Sequence, residues 1–306
     1  MLELRLQEWL KSRSEPEFLV KALKAPVDVK VTNSIVDQVQ RSLIMGVLNV
    51  TPDSFSDGGK FESLDSAIKH AQTLVEEGAD ILDVGGESTR PGASEVSVQE
   101  ELDRVIPIIE TIKKELDVAV SVDTSKHQVM SAAVGAGADM INDVTALSDV
   151  NARQVVAESG LPVCLMHMQG KPRQMQENPS YSNVVADVKE YLQNVANLCE
   201  QSGIAHENII LDPGIGFGKT LEHNLRLLAA VPEIRAFGYP VLIGVSRKSM
   251  IDHMLKRSVD QRLSASLGLA VQAVLNGADI VRVHDVRETH DAIRAVEAVA
   301  NVNMSA

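Results

Sequence analysis

From about residue 43 a short apolar run closes in polar residues, a stretch of helical periodicity follows, and the unit then repeats. The apolar runs are 43–49, 80–85, 118–123, 139–142, 162–167, 208–212, 240–246 and 279–284. Segments such as 64–76, 98–116 and 184–199 carry their apolar residues at helical spacing. Several of these stretches end alike, with Gly-Ala-Asp at 78–80, 137–139 and 277–279 and Ser-Gly at 159–160. Glycine there supplies a left-handed helix cap, and the next strand begins directly after it. Eight such units predict an α/β chain folded as a closed parallel (β/α)8 barrel, the TIM barrel. A doubly wound open sheet is the alternative, but it usually has fewer strands and one Gly-rich nucleotide turn.

Residues 1–40 stand outside the repeat and predict a short N-terminal extension, with the barrel over 41–306. Leu6, Trp9, Leu10, Phe18 and Leu19 suggest a short amphipathic helix and an extended piece covering the closed end of the barrel. A partner-binding extension is the other reading. No low-complexity linker marks a second domain.

In such barrels reactive groups gather at the C-terminal strand ends. Here the first strand ends in Asn49, the second leads to Glu87, Ser88 and Thr89, and the third ends in Asp123. The fourth ends in Asn142 and Asp143, the fifth in His167 and the sixth in Asp212. The seventh ends in Ser246, Arg247 and Lys248, and the eighth in Arg282 and His284. Scattered helix caps would not place so many polar groups at one mouth. Asp123, Asn142, Asp212 and Lys248 mix acceptors with donors, which suits the edge of a flat heterocycle, though any one of them alone could be a cap or ion-pair partner. Arg282 and His284 are two apart on one strand and share a face. A diphosphate is their natural ligand, and a structural ion pair is the alternative for Arg282. Asn49 offers a neutral oxygen to a hard cation such as Mg²⁺.

Two long loops follow the first two strands, 50–59 and 85–92, and both mix Gly and Pro with polar groups, as lids over a substrate do. The chain has no nucleophile elbow and no HExxH. The stretch DPGIGFGKT at 212–220 ends like a phosphate-binding P-loop, but Pro213 stands where that pattern needs glycine. It is expected to be a flexible turn beside Asp212.

Composition narrows the function. A net charge of −13 argues against nucleic acid or an anionic membrane as partner, so an anionic substrate needs locally placed cations. Aromatic residues make up only 3%. No apolar run reaches the length of a membrane span. The N-terminal segment, with Glu3, Glu8, Glu15 and Glu17, resembles neither a secretory nor a transit signal. Cys164 and Cys199 form neither a disulfide framework nor a zinc pattern. A reduced, cytoplasmic setting is expected.

Together, MGVLNVTPDSFSDGG at 45–59, DVGGESTRPGA at 83–93, SVDTSK at 121–126 and INDV at 141–144 resemble the dihydropteroate synthases of folate biosynthesis. LPVCLMHMQG at 161–170, LDPGIGFGK at 211–219, SRKSMI at 246–251 and IVRVHDV at 280–286 extend the resemblance in the same order. The departures are the longer N-terminal segment and Thr145, where some relatives carry Arg. The resemblance implies a transferase, a sulfonamide target, that condenses (7,8-dihydropterin-6-yl)methyl diphosphate with p-aminobenzoate to give 7,8-dihydropteroate and diphosphate. It assigns the pterin to Thr89, Asp123, Asn142, Asp212 and Lys248, and the diphosphate to Asn49, Arg282 and His284. Mg²⁺ falls to Asn49, and p-aminobenzoate to Phe55, Pro91 and Ser249. Asp57, Arg90, Asp123 and Lys248 form the implied catalytic set, and a homodimer is the implied assembly. A pterin-binding methyltransferase working with a cobalamin partner would share the barrel, but it would not need the diphosphate pair or the second loop.

Overall fold

The computed structural model describes residues 41–50, 60–88, 96–170 and 174–300. The proposed extension 1–40, the loop residues Phe55, Asp57, Thr89, Arg90 and Pro91, and residues 301–306 lie outside the described residues. Eight parallel strands form one sheet: β1 (Leu43–Asn49), β2 (Ile81–Gly85), β3 (Ala119–Asp123), β4 (Met140–Asp143), β5 (Val163–Met166), β6 (Ile209–Asp212), β7 (Leu242–Gly244) and β8 (Ile280–Val283). They run in the order β6-β5-β4-β3-β2-β1-β8-β7. A parallel bridge between Leu211 and Val241 closes the sheet into a barrel. The open-sheet alternative is thereby excluded. Among the helices that wrap it are α1 (Lys60–Glu76), α2 (Val98–Glu115), α3 (His127–Gly135), α4 (Val150–Ser159), α5 (Val184–Gln201) and α6 (Leu221–Ala229). After β7 come α7 (Ser249–Leu255) and α8 (Leu263–Leu275), and after β8 comes α9 (Val286–Ala300).

The repeated Gly-Ala-Asp has a shared mechanical role. Gly78, Gly137 and Gly277 take φ values of +102°, +94° and +97°, which a side chain disfavours. The aspartate that follows then secures the floor of the barrel. Asp80, Asp139 and Asp279 accept from the backbone N–H groups of Ile44, Val120 and Val241 at 2.9, 2.7 and 2.9 Å. Arg41, Lys113 and Arg235 pair with the same three carboxylates. These groups serve stability at the closed end, which leaves the opposite end for chemistry.

Strand alternation then layers the interior. Leu43, Met45, Ile81, Ala119, Met140, Cys164, Ile210, Leu242 and Ile280 form a separate apolar cluster contributed by all eight strands. The in-between residues, such as Leu82, Val120 and Val281, belong to the outer core beneath the helices. Two residues beyond the inner cluster, on five of the eight strands, the same face turns polar: Asp83, Ser121, Asn142, Asp212 and Arg282. A dry plug thus supports a buried polar layer. Among the described residues, no helix is long and apolar enough to cross a membrane.

Candidate active site

Arg282 is the centre of the polar layer. Its Nε donates to Asp83 Oδ2 at 2.6 Å and its Nη2 donates to Asp123 Oδ2 at 2.8 Å. Asn142 Nδ2 donates to the same Asp83 oxygen at 3.1 Å. Four strands therefore converge on one network. Burial works against the Arg282 charge, but Asp83 and then Asp123 outweigh it and hold the guanidinium above its ordinary pKa. Burial likewise pushes the Asp123 carboxyl up, and Arg282 is the main force pulling it back. The ion-pair reading of Arg282 is what the structure shows, and those bonds use Nε and one N–H of Nη2 from a five-donor fork.

Asn49, at the end of β1, faces Asp123 across Gly85. A Cβ built on Gly85 would lie 3.7 Å from Asp123 Oδ2 and 3.8 Å from Asn49 Oδ1. A glycine there keeps the space between the two oxygens open. Among the described residues no cluster of His, Cys, Asp or Glu could hold a metal ion. Asn49 is thus a single neutral oxygen donor. That fits a cation such as Mg²⁺, which keeps several waters and takes phosphate oxygens for the rest.

Beside this network, the last residue of β6 and the residue that caps α7 bring Asp212 and Lys248 together. Asp212 is 7% exposed and accepts from Gly214 N–H at 2.7 Å. Burial raises its pKa, against the pull of that N–H and of Lys248. Burial lowers the Lys248 ammonium to about 8, with Asp212 opposing the shift. The Lys248 Nζ lies 4.2 Å from the centroid of the Phe217 ring. Arg247, just before it, has φ +58° and turns outward to pair with Asp285. A left-handed non-glycine residue at this point is a local strain that lets the next side chain enter the mouth. Ser249 is exposed at the first turn of α7. His284, one residue past β8, lies with Nδ1 3.1 Å from Ser246 Oγ, and Ser246 Oγ also accepts from the His284 N–H.

Two expected site residues have other work. Asp143 accepts from Thr145 N, Thr145 Oγ1 and Leu147 N, so it holds the turn after β4, where Ala146 and Leu147 both have φ +53°. His167 is buried, and its Nδ1 lies 2.9 Å from Lys219 Nζ. Lys219 Nζ also donates to the carbonyls of His167 and Phe217 at 3.3 and 2.9 Å. Burial lowers Lys219 to about 7, and burial and then Lys219 lower His167 to about 3.

The turn at 213–219 is not flexible as expected but closely packed. A Cβ on Gly214 (φ +68°) would fall 1.9 Å from the His167 carbonyl oxygen, and one on Gly218 (φ +62°) would fall 2.5 Å from that of Gln169. Gly214 and Gly218 serve close backbone approach, and Lys219 is a buried tie rather than a phosphate ligand.

The sequence pattern of a family described as pterin-binding enzymes matches residues 45–284. The dihydropteroate synthase of Escherichia coli K12 is 56% identical over 255 residues, covering 83% of this chain and 90% of the relative. A Yersinia pestis dihydropteroate synthase solved with a sulfonamide drug complex superposes with a TM-score of 0.81 at 50% identity, covering 85% of this chain and 94% of that one. A Xanthomonas albilineans dihydropteroate synthase in complex with 7,8-dihydropteroate gives a TM-score of 0.78 at 44% identity, with coverages of 85% and 94%.

Proposed function

The chain belongs to the dihydropteroate synthases, within the pterin-binding enzymes, and from that premise we propose how its residues divide the work of the transfer. The reaction joins a pterin methyl diphosphate to p-aminobenzoate and releases diphosphate.

The observation that carries the assignment is the buried layer of Asp83, Asp123, Asn142 and Arg282, with Asp212 and Lys248 beside it. Asn142, Asp212 and Lys248 offer acceptors and a donor to the pterin edge, with Thr89 as a further contact. Arg282, His284 and Asn49 take the diphosphate, and Phe55, Pro91 and Ser249 hold the arylamine. Asp57 and Arg90 complete the catalytic set with Asp123 and Lys248. Mg²⁺ held through Asn49 would neutralise the charge that develops on the leaving diphosphate.

No described residue is placed as a nucleophile, and the reading does not need one. The bond from the pterin methylene to oxygen breaks, and the electron pair leaves with diphosphate. The positive charge left on carbon spreads into the pterin ring. The arylamine nitrogen then forms the new C–N bond and loses a proton. Asp123 stabilises the cationic ring, while Arg282 holds its charge for the departing diphosphate and Lys248 donates to the pterin edge, so the stabilisation is electrostatic and preorganised. Asp123→Asn keeps the size and removes the charge. Steady-state kinetics should show kcat falling far more than KM rises. An unchanged kcat with a raised KM would rule out the cation-stabilising role.

Cytoplasmic location, from two cysteines that form no disulfide framework, and a covering role for residues 1–40, from their apolar residues, belong to the same proposal, as does a homodimer, which rests on the family resemblance. Sedimentation of the purified chain at twice the monomer mass is the expected result.

A further inference from the structure

Asp83 lies wholly inside the barrel in the middle of β2, and none of the substrate contacts proposed above falls to it. Its Oδ2 alone receives both Arg282 Nε and Asn142 Nδ2. Its Oδ1 is buried and has no hydrogen-bonding partner among the described residues. Ser121, its partner in register on β3, has a buried hydroxyl that is also unpartnered. A buried carboxylate with one oxygen unsatisfied weakens a fold, and an apolar side chain of similar size would avoid that cost. Stability therefore does not account for Asp83. Its effect on Arg282 and Asn142 does.

A side-chain amide has a donor end and an acceptor end of nearly the same shape, so its neighbours decide which end faces a ligand. A carboxylate that already holds a guanidinium can only accept. The end of Asn142 turned to Asp83 must then be its NH2 group. We infer that Asp83 is a positioning residue that sets the hydrogen-bonding polarity of the pterin site. It leaves the Asn142 carbonyl as the group offered to the heterocycle, and it fixes the plane of Arg282 against Asp123. This rests on the assignment of Asn142 to the pterin edge.

A pterin presents a 2-amino donor, and its 2-oxo counterpart presents an acceptor there. The test is calorimetric binding of 6-hydroxymethylpterin and of its 2-oxo analogue to the full chain, to Asp83→Asn, to Asn142→Ala and to the double variant. The intact chain should prefer the pterin, and Asp83→Asn should lose about tenfold or more of that preference, because its amide no longer dictates the orientation of Asn142. Asn142→Ala should lose the preference as well, and the double variant should lose no more than Asn142→Ala alone. If Asp83→Asn keeps the full preference while Asn142→Ala loses it, the positioning role is overturned. If Asn142→Ala keeps the preference, the pterin assignment itself falls and takes the inference with it. Neutron diffraction of the unaltered chain needs no variant to fold. Both deuterons of the Asn142 amide should sit on the atom 3.1 Å from Asp83 Oδ2, and deuterons on the other atom would overturn the inference.

Discussion

Replacing Arg282 with Ala should damage the fold and the ligand site together. The guanidinium is the cation within hydrogen-bonding reach of both Asp83 and Asp123, whose side chains are 0% and 10% exposed. Removing one partner of a buried ion pair typically costs about 3–5 kcal/mol, because the remaining charge stays buried without compensation. For a chain of this size each kcal/mol lowers Tm by about 2–4 °C, so a fall of about 6–20 °C is expected. The loss should also depend on pH. Burial already holds the Asp123 pKa above its ordinary 3.8, and Arg282 opposes that shift, so the variant raises it further. A carboxyl whose folded pKa exceeds its unfolded value binds more protons in the folded state, so stability falls as pH rises above the unfolded pKa. With Arg282 in place Asp123 sits at about 7, so below about pH 7 it is protonated in both folded forms and the deficit should be flat, growing only above that pH. Binding should change in parallel. Pterin diphosphate should weaken by about ten- to a hundredfold, and the free pterin alcohol less, since Arg282 acts on the alcohol only through Asp83 and Asp123. Urea unfolding across pH and calorimetry with the two ligands measure both effects. A stability loss under about 1 kcal/mol, or one independent of pH, would refute the shared-cation reasoning.

Two further outcomes follow from the mouth of the barrel. Gly214→Ala should destabilise the chain by several kcal/mol and weaken pterin binding, because the new methyl group would meet the His167 carbonyl 1.9 Å away at φ +68°; a wild-type melting temperature would show that the turn can open without cost. Pterin affinity should fall as pH rises through about 8, where the half-buried Lys248 ammonium loses its proton, and Lys248→Arg should remove that inflection; an inflection that survives in the variant would point to Lys219 instead.

Much of the barrel was legible because short apolar runs and Gly-Ala-Asp caps are local signals. β1 runs over the residues expected, and the other strands differ from expectation by up to two residues at either end, chiefly at flanking Asp, Pro and Ser residues. The strand-end rule also brought forward Asn49, Asp123, Asn142, Asp212, Lys248, Arg282 and His284. It missed Asp83, because that residue lies inside an apolar run rather than at its end. The alternation Ile81-Asp83-Gly85 could have placed it on the inner face in line with Asp123. Lys219 was passed over with the imperfect P-loop, since only packing shows that its ammonium is consumed by His167 and two carbonyls. Asp143 and His167 were read as mouth groups because a sequence cannot distinguish a side chain facing a ligand from one facing its own turn.

The claim that this barrel carries out the pterin transfer is tested most directly by measuring diphosphate and dihydropteroate together in one reaction with Mg²⁺. The prediction is one diphosphate released for each dihydropteroate formed, with turnover only when both the pterin diphosphate and p-aminobenzoate are present. Folded chain that binds the pterin but releases no diphosphate, or releases it at a rate indifferent to p-aminobenzoate, would contradict the assignment.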